Sequence, residues 1–325
     1  MEHLLIKEAE YAEQMKRTVV PYLDERREER YLERETGNRI YCVKYQSDTP
    51  RGVIVISHGY TETAEKYWEI VYYFLKKGYH VYLPEHCGHG YSYRLTGDLS
   101  LVHTDKYQRY VEDFRWVSQT AKKENQGLPL FLYGHSMGGG IGSVVLAEAP
   151  ELFSRAVLSS PMFQPLTGAV PWTVAKVIAA VCCKIGKENC YVAGNHKYEG
   201  QERFEDSASA SRARFDYYNE KRMTEPLFQM NGASYGWLHA AIELSGVIRK
   251  SVWKKIRVPV LVFQAEQDAF VSGKAQERFV RKLSELHPGM ASLIRVPGTR
   301  HEMFNADETS LKFYWEKVFE FLGEE

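Results

Sequence analysis

The chain has no excess charge of either sign, with 42 lysines and arginines against 42 aspartates and glutamates in 325 residues. No global field therefore recruits nucleic acid or an anionic membrane. Cysteine is scarce. The five present (Cys42, Cys87, Cys182, Cys183 and Cys190) are an odd number without metal-type spacing. Free thiols in a reducing compartment are the simplest account. Long apolar runs are missing too. The first ten residues include Glu2, Glu8 and Glu10 and no apolar core of signal-peptide length. The most apolar stretch, residues 169–185, is interrupted by Lys176 and Lys184 and is short for a bilayer. These absences predict a soluble, cytoplasmic protein. Internal repeats and low-complexity segments are absent as well.

What is present is a regular alternation. The apolar fraction of 44% permits a large core. The length suits two average domains or one α/β unit around a single sheet. A short helix over 8–16 precedes a hairpin over 31–35 and 39–46, whose turn is Thr36-Gly37-Asn38. Residues 52–57 form a continuous β-branched run, the mark of a strand buried on both faces. Similar runs recur at 80–84, 130–133, 156–160, 260–264 and 291–296. Helical patterns separate them at 64–77, 106–123, 139–148, 274–286 and 308–322. The fold class is therefore α/β, a mostly parallel central sheet with helices on both faces. The alternation halts over 162–257, where no convincing buried strand occurs. That segment reads as a helical insertion with helices near 170–185, 208–219 and 235–250 and a turn-rich stretch over 186–206. Residues 1–161 and 258–325 then form one core.

The chemistry centres on Gly134-His135-Ser136-Met137-Gly138, placed between a β-prone run and a small-residue helix. A serine on a strained strand-to-helix turn presents its hydroxyl outward, and the flanking glycines let the turn close. That hydroxyl needs a base, and the base needs an acid to hold its tautomer. Asp268 and His301 each follow a strand, at the carboxyl rim where Ser136 also sits. The order Ser, acid, His distinguishes this arrangement from the common serine-protease orders. Glu266 is the rival acid in the same loop, and capping a turn is the alternative role for either residue. Backbone donors for a developing oxyanion are expected at Met137, just after the nucleophile, and at Tyr60, just after the 53–57 strand. His58 reads as a brace for that loop rather than a catalyst. His86 and His89, beside Glu85 and Cys87, have metal-ligand residue types. Glycines at 88 and 90 and the lack of a second cluster favour a tight loop, so no metal is expected.

Taken together, the chain resembles the α/β-hydrolase superfamily and, more narrowly, the monoacylglycerol lipase and bacterial lysophospholipase group. The matching residues are His58-Gly59-Tyr60 with Glu62 and Lys66-Tyr67, Gly88-His89-Gly90-Tyr91-Ser92, and His103 through Phe114. The elbow, Asp268 and His301 complete the set, with Tyr235-Gly236-Trp237-Leu238 inside the insertion. Glu85 and Ala265 depart from the Asp and Gly usual in the family. The resemblance implies a serine carboxylester hydrolase acting on a monoacylglycerol- or lysophospholipid-like ester through an acyl-enzyme. It also implies that 162–257 caps the site, with Trp172, Val177, Ile178 and Val181 lining acyl-chain access; simple packing of that helix on the core is the alternative. A short-chain or aryl esterase, a peptidase or an acyltransferase would use the same triad, and a non-catalytic ligand-binding relative is a further alternative. No cofactor is expected. The expected partner is a small ester or lipid, with no nucleic acid and at most transient membrane contact through the cap. Oligomeric state is left open.

Overall fold

The computed structural model describes residues 4–200 and 202–323. Ten strands follow in chain order: β1 (Arg27–Glu33), β2 (Arg39–Tyr45), β3 (Gly52–Ser57), β4 (Tyr79–Pro84), β5 (Leu101–Val102), β6 (Leu130–His135), β7 (Arg155–Ser159), β8 (Gly232–Ala233), β9 (Val260–Ala265) and β10 (Ala291–Val296). Eight of them make the central sheet in the order β1-β2-β4-β3-β6-β7-β9-β10. β1, β2 and β4 pair antiparallel; every pair from β4 to β10 is parallel.

The helices are α1 (Tyr11–Gln14), α2 (Val20–Asp24), α3 (Trp68–Lys76), α4 (Tyr107–Glu124), α5 (Met137–Glu148), α6 (Trp172–Lys184), α7 (Arg212–Thr224), α8 (Tyr235–Val247), α9 (Trp253–Lys255), α10 (Gly273–Leu286) and α11 (Glu308–Leu322). Alternation of side chains along the buried strands feeds two cores. Val53, Val55, Leu130 and Leu132 pack with α4 and α5 on one face. Ile54, Ile56, Phe131 and Tyr133 pack with α3 and α11 on the other. Both faces being apolar is what a parallel sheet requires. Gly78, at φ 80°, turns the chain at the end of α3, as the sequence predicts.

Three local features differ from expectation. The N-terminal helix extends past residue 16 through a π turn (Met15–Val19) into α2. β1 begins at Arg27 rather than at residue 31. It is an edge strand with an exposed face, so charged residues are tolerated there. The insertion also contains a strand, β8, which pairs in parallel with β5 of the core. Two residues are too few to leave a periodic signal in sequence. This small ladder ties the insertion to the loop after β4.

Topology then positions the site. After β3 the chain steps outward to β4, and it returns on the other side of β3 to form β6. The direction of winding reverses between β3 and β6, which opens a crevice beyond their carboxyl ends. The loop carrying Tyr60 and the turn carrying Ser136 sit at that crevice.

Candidate active site

Ser136 has φ 49° and ψ −118°, a backbone conformation that is costly for a non-glycine residue. Among the described residues two other non-glycines have positive φ, Thr61 and Ser160, and they lie just beyond β3 and β7. Strain therefore clusters at the crevice. Close packing keeps it there: a Cβ at Gly138 would overlap the Ser57 carbonyl, and one at Gly134 would lie 2.9 Å from Gly139 Cα. The Ser136 amide donates to the Ser159 carbonyl (3.0 Å), and the Ser136 carbonyl accepts from Met162 (2.8 Å).

His301 Nε2 lies 2.7 Å from Ser136 Oγ, and His301 Nδ1 lies 2.8 Å from Asp268 Oδ2. The second carboxylate oxygen of Asp268 accepts from the Phe270 and Val271 amides at 2.9 and 3.0 Å. Burial pushes the Asp268 pKa up, but the His301 hydrogen bond and charge and the two amides outweigh it. The net shift is downward, so the carboxylate stays ionised. Glu266, the rival acid, faces away and accepts from the Gly298 amide. The three residues named from sequence order thus meet in one hydrogen-bonded line.

The Tyr60 loop is held from several sides. His58 Nδ1 is 2.8 Å from the Gly59 carbonyl, and His58 Nε2 accepts from the His86 amide at 2.9 Å. Burial lowers the His58 pKa to about 4, so its ring is a neutral spacer. The Tyr60 ring packs 4.5 Å from Trp237 of the insertion, and its hydroxyl donates to the Asn231 carbonyl. The Met137 amide lies at the first residue of α5, where a helix leaves its N–H groups unpaired. His86 and His89 make bonds within the protein: His86 Nε2 is 3.1 Å from Ser57 Oγ, and His89 Nδ1 is 3.0 Å from the Cys87 carbonyl, while His89 Nε2 is buried without a hydrogen-bond partner. Among the described residues no group of three or more His, Cys, Asp or Glu could hold a metal.

A cavity of about 500 Å³ rises from Ser136 and His301 toward the insertion. Its lining combines apolar side chains, Leu166, Val170, Ile178 and Leu238 among them, with a polar cluster of Glu62, Lys66 and Glu302. Lys66 pairs with Glu302 and, at 3.3 Å, with Glu62. Burial opposes ionisation of Glu62, but Lys66, His135 and the Tyr67 hydroxyl outweigh it and take its pKa down to about 2. Glu62 and Lys66 enter the sequence reading only as family matches, and Glu302 is not singled out there. Its place directly after His301 is the one signal sequence offered.

The four acyl-lip candidates separate on α6. Ile178 lines the cavity with Ala175, one turn away. Val177 and Val181 point outward, 61% and 49% exposed, and Trp172 lines a different cavity. The correction is geometric. Burial of Ala175 and Ala179 on the core side fixes the helix rotation, and positions 177 and 181 then face solvent. Glu85, the departure noted above, is buried and accepts from the Ala64 and Tyr91 amides (2.9 and 2.6 Å). Its carboxyl fills the space where Gly90 has no side chain.

Comparison with known proteins agrees with this geometry. Residues 48–308 match the Hydrolase_4 family, described as serine aminopeptidase, S33. A monoacylglycerol lipase of Mycolicibacterium smegmatis is 30% identical, covering 85% of this chain and 90% of that one. A probable lysophospholipase L2 of Haemophilus influenzae is 25% identical over 79% of each chain. The fold matches a soluble variant of monoglyceride lipase from Saccharomyces cerevisiae with a TM-score of 0.74 at 17% identity, covering 92% of this chain and 95% of that one. With a parallel sheet, a strained serine and this family match, the chain belongs to the Hydrolase_4 family of α/β-hydrolases and is a serine hydrolase.

Proposed function

We propose that the protein hydrolyses the carboxylic ester of a single-chain acyl lipid, a monoacylglycerol or a lysophospholipid, through an acyl-enzyme on Ser136. The observation that carries this reading is the Ser136–His301–Asp268 line, with Ser136 and His301 lining a cavity that joins apolar side chains to one polar cluster. Ser136 Oγ attacks the ester carbonyl while His301 Nε2 takes its proton. His301 then passes that proton to the departing alcohol. Water, deprotonated by the same nitrogen, releases the fatty acid and restores the serine. Asp268 holds the imidazole and balances its positive charge without taking the proton. The Tyr60 and Met137 amides donate to the oxyanion, and losing one such donor typically costs about 3–4 kcal/mol of transition-state stabilisation. Residues 162–257 act as a cap over the core. Leu166, Val170 and Ile178 receive the acyl chain, and the Glu62–Lys66–Glu302 cluster receives the alcohol.

The test is a panel of p-nitrophenyl esters of rising chain length, with monoacylglycerol, lysophospholipid and an aminoacyl anilide, against wild type and Ser136→Ala. Turnover should rise with chain length and vanish in the variant. Wild-type turnover by Ser136→Ala would remove the nucleophile assignment, and preference for the anilide would remove the ester reading.

A further inference from the structure

At the seam between the insertion and α10 lies a second cavity of about 370 Å³. No residue lines both it and the cavity above Ser136. Its lining takes Lys176 from α6, Arg249 from the turn after α8, and Lys274, Arg278 and Lys282 from α10. No aspartate or glutamate is among the described lining residues. Lys282 is paired with Glu285 at 3.1 Å. The side chains of the other four have no ion pair or hydrogen bond among the described residues. On a chain with balanced charge, five cations around one hollow are a marked local excess.

These cations come from both sides of a seam, so each pushes the insertion away from α10. An anion between them would turn that repulsion into attraction. α10 begins at Gly273, and Ser272 and Lys274 line the hollow, so the positive end of the helix dipole adds to the field. Arg249 and Arg278 offer the forked donors that match phosphate oxygens. Trp172 and Trp253 supply apolar flanks, and the neighbouring outward face of α6 exposes Val174, Val177 and Val181. Cationic donors beside an apolar rim suit the phosphate of an amphiphile as well as a soluble phosphate ester.

We propose that this seam cavity is a binding site for a phosphate-type oxyanion, which clamps the insertion to the core. The site is independent of the reaction at Ser136. The test compares wild type with the double variant Arg249→Gln/Arg278→Gln, using ester turnover only as a check of folding. The first arm measures Tm in inorganic phosphate against chloride at equal ionic strength. Wild type should gain about 2 °C at a phosphate concentration of about ten times Kd, and the variant should not. The second arm measures co-sedimentation with phosphatidylcholine vesicles, with and without phosphatidylglycerol. Binding only to the anionic vesicles, lost in the variant, identifies a lipid headgroup. A phosphate shift without vesicle binding identifies a soluble ester. Equal responses of the two proteins in both arms, or no response of wild type in either, would overturn the proposal.

Discussion

On the core side of the catalytic cavity, Ser136 is 6% exposed and His301 5%, and both are held by hydrogen bonds to neighbouring groups. On the insertion side, α6 leaves Val177 61% and Val181 49% exposed, and only Ala175 and Ala179 of the helix are buried. The core wall is dense, glycine-rich and strained; the insertion wall is built from small and apolar side chains with room around them. Chemistry that needs atoms placed within a fraction of an ångström belongs on the first kind of wall. Selection among substrates, which tolerates slack, can be left to the second.

Substitutions can break this contrast, and the largest effect is expected at Ser136, the proposed nucleophile. Ser136→Ala should lower kcat by on the order of 10^4- to 10^6-fold while leaving the fold intact. Fluorophosphonate labelling and far-UV circular dichroism read the two halves of that statement. A matched pair of glycine substitutions comes next. Gly138→Ala forces a Cβ onto the Ser57 carbonyl and should cost about 3 kcal/mol in urea unfolding, because that backbone has nowhere to move. The same change at Gly246, in α8 of the insertion, meets open space and should stabilise by about 0.5–1 kcal/mol. Equal effects at the two sites would erase the distinction between tight packing in the core and loose packing in the insertion.

Acid should act on the core wall. The Glu62 pKa is depressed to about 2 from an ordinary 4.5. The stability it contributes is therefore fully present above about 4.5 and is lost as pH falls toward 2. Glu62→Gln should flatten that part of the pH dependence, seen as urea midpoints compared between pH 5 and pH 3. An unchanged slope would show that Glu62 does not carry the acid sensitivity. The smallest expected effect lies within α6 itself. Ile178→Ala should reduce kcat/KM for long-chain esters by about tenfold relative to short ones, whereas Val177→Ala should change neither by more than about twofold. If the two substitutions behaved alike, the rotation of α6 would be different from that described.

Much of the core was legible in the order of residues. A strand buried on both faces is a compact apolar run, so β3, β6 and β9 stand out locally, and α11 matches its predicted span of 308–322. The elbow is equally local, since its glycines and serine are neighbours in the chain. Asp268 and His301 were found because parallel strands deliver their C-terminal loops to one rim. β1 was harder, because a charged edge strand carries little apolar pattern. β8 was hidden altogether, because its two residues have meaning only beside β5.

Local order thus determined where Ser136, Asp268 and His301 lie, and the sheet that gathers them, since each depends on a strand and the turn that ends it. Which face of α6 looks into the cavity depended on how Ala175 and Ala179 seat against the core. Lys66 joining Glu62 to Glu302 required elements far apart in sequence to meet. So did the gathering of Lys176, Arg249 and Arg278 around one hollow. Contacts of that kind are set by helix rotation and by packing across the insertion seam, and a short window of sequence holds no record of either.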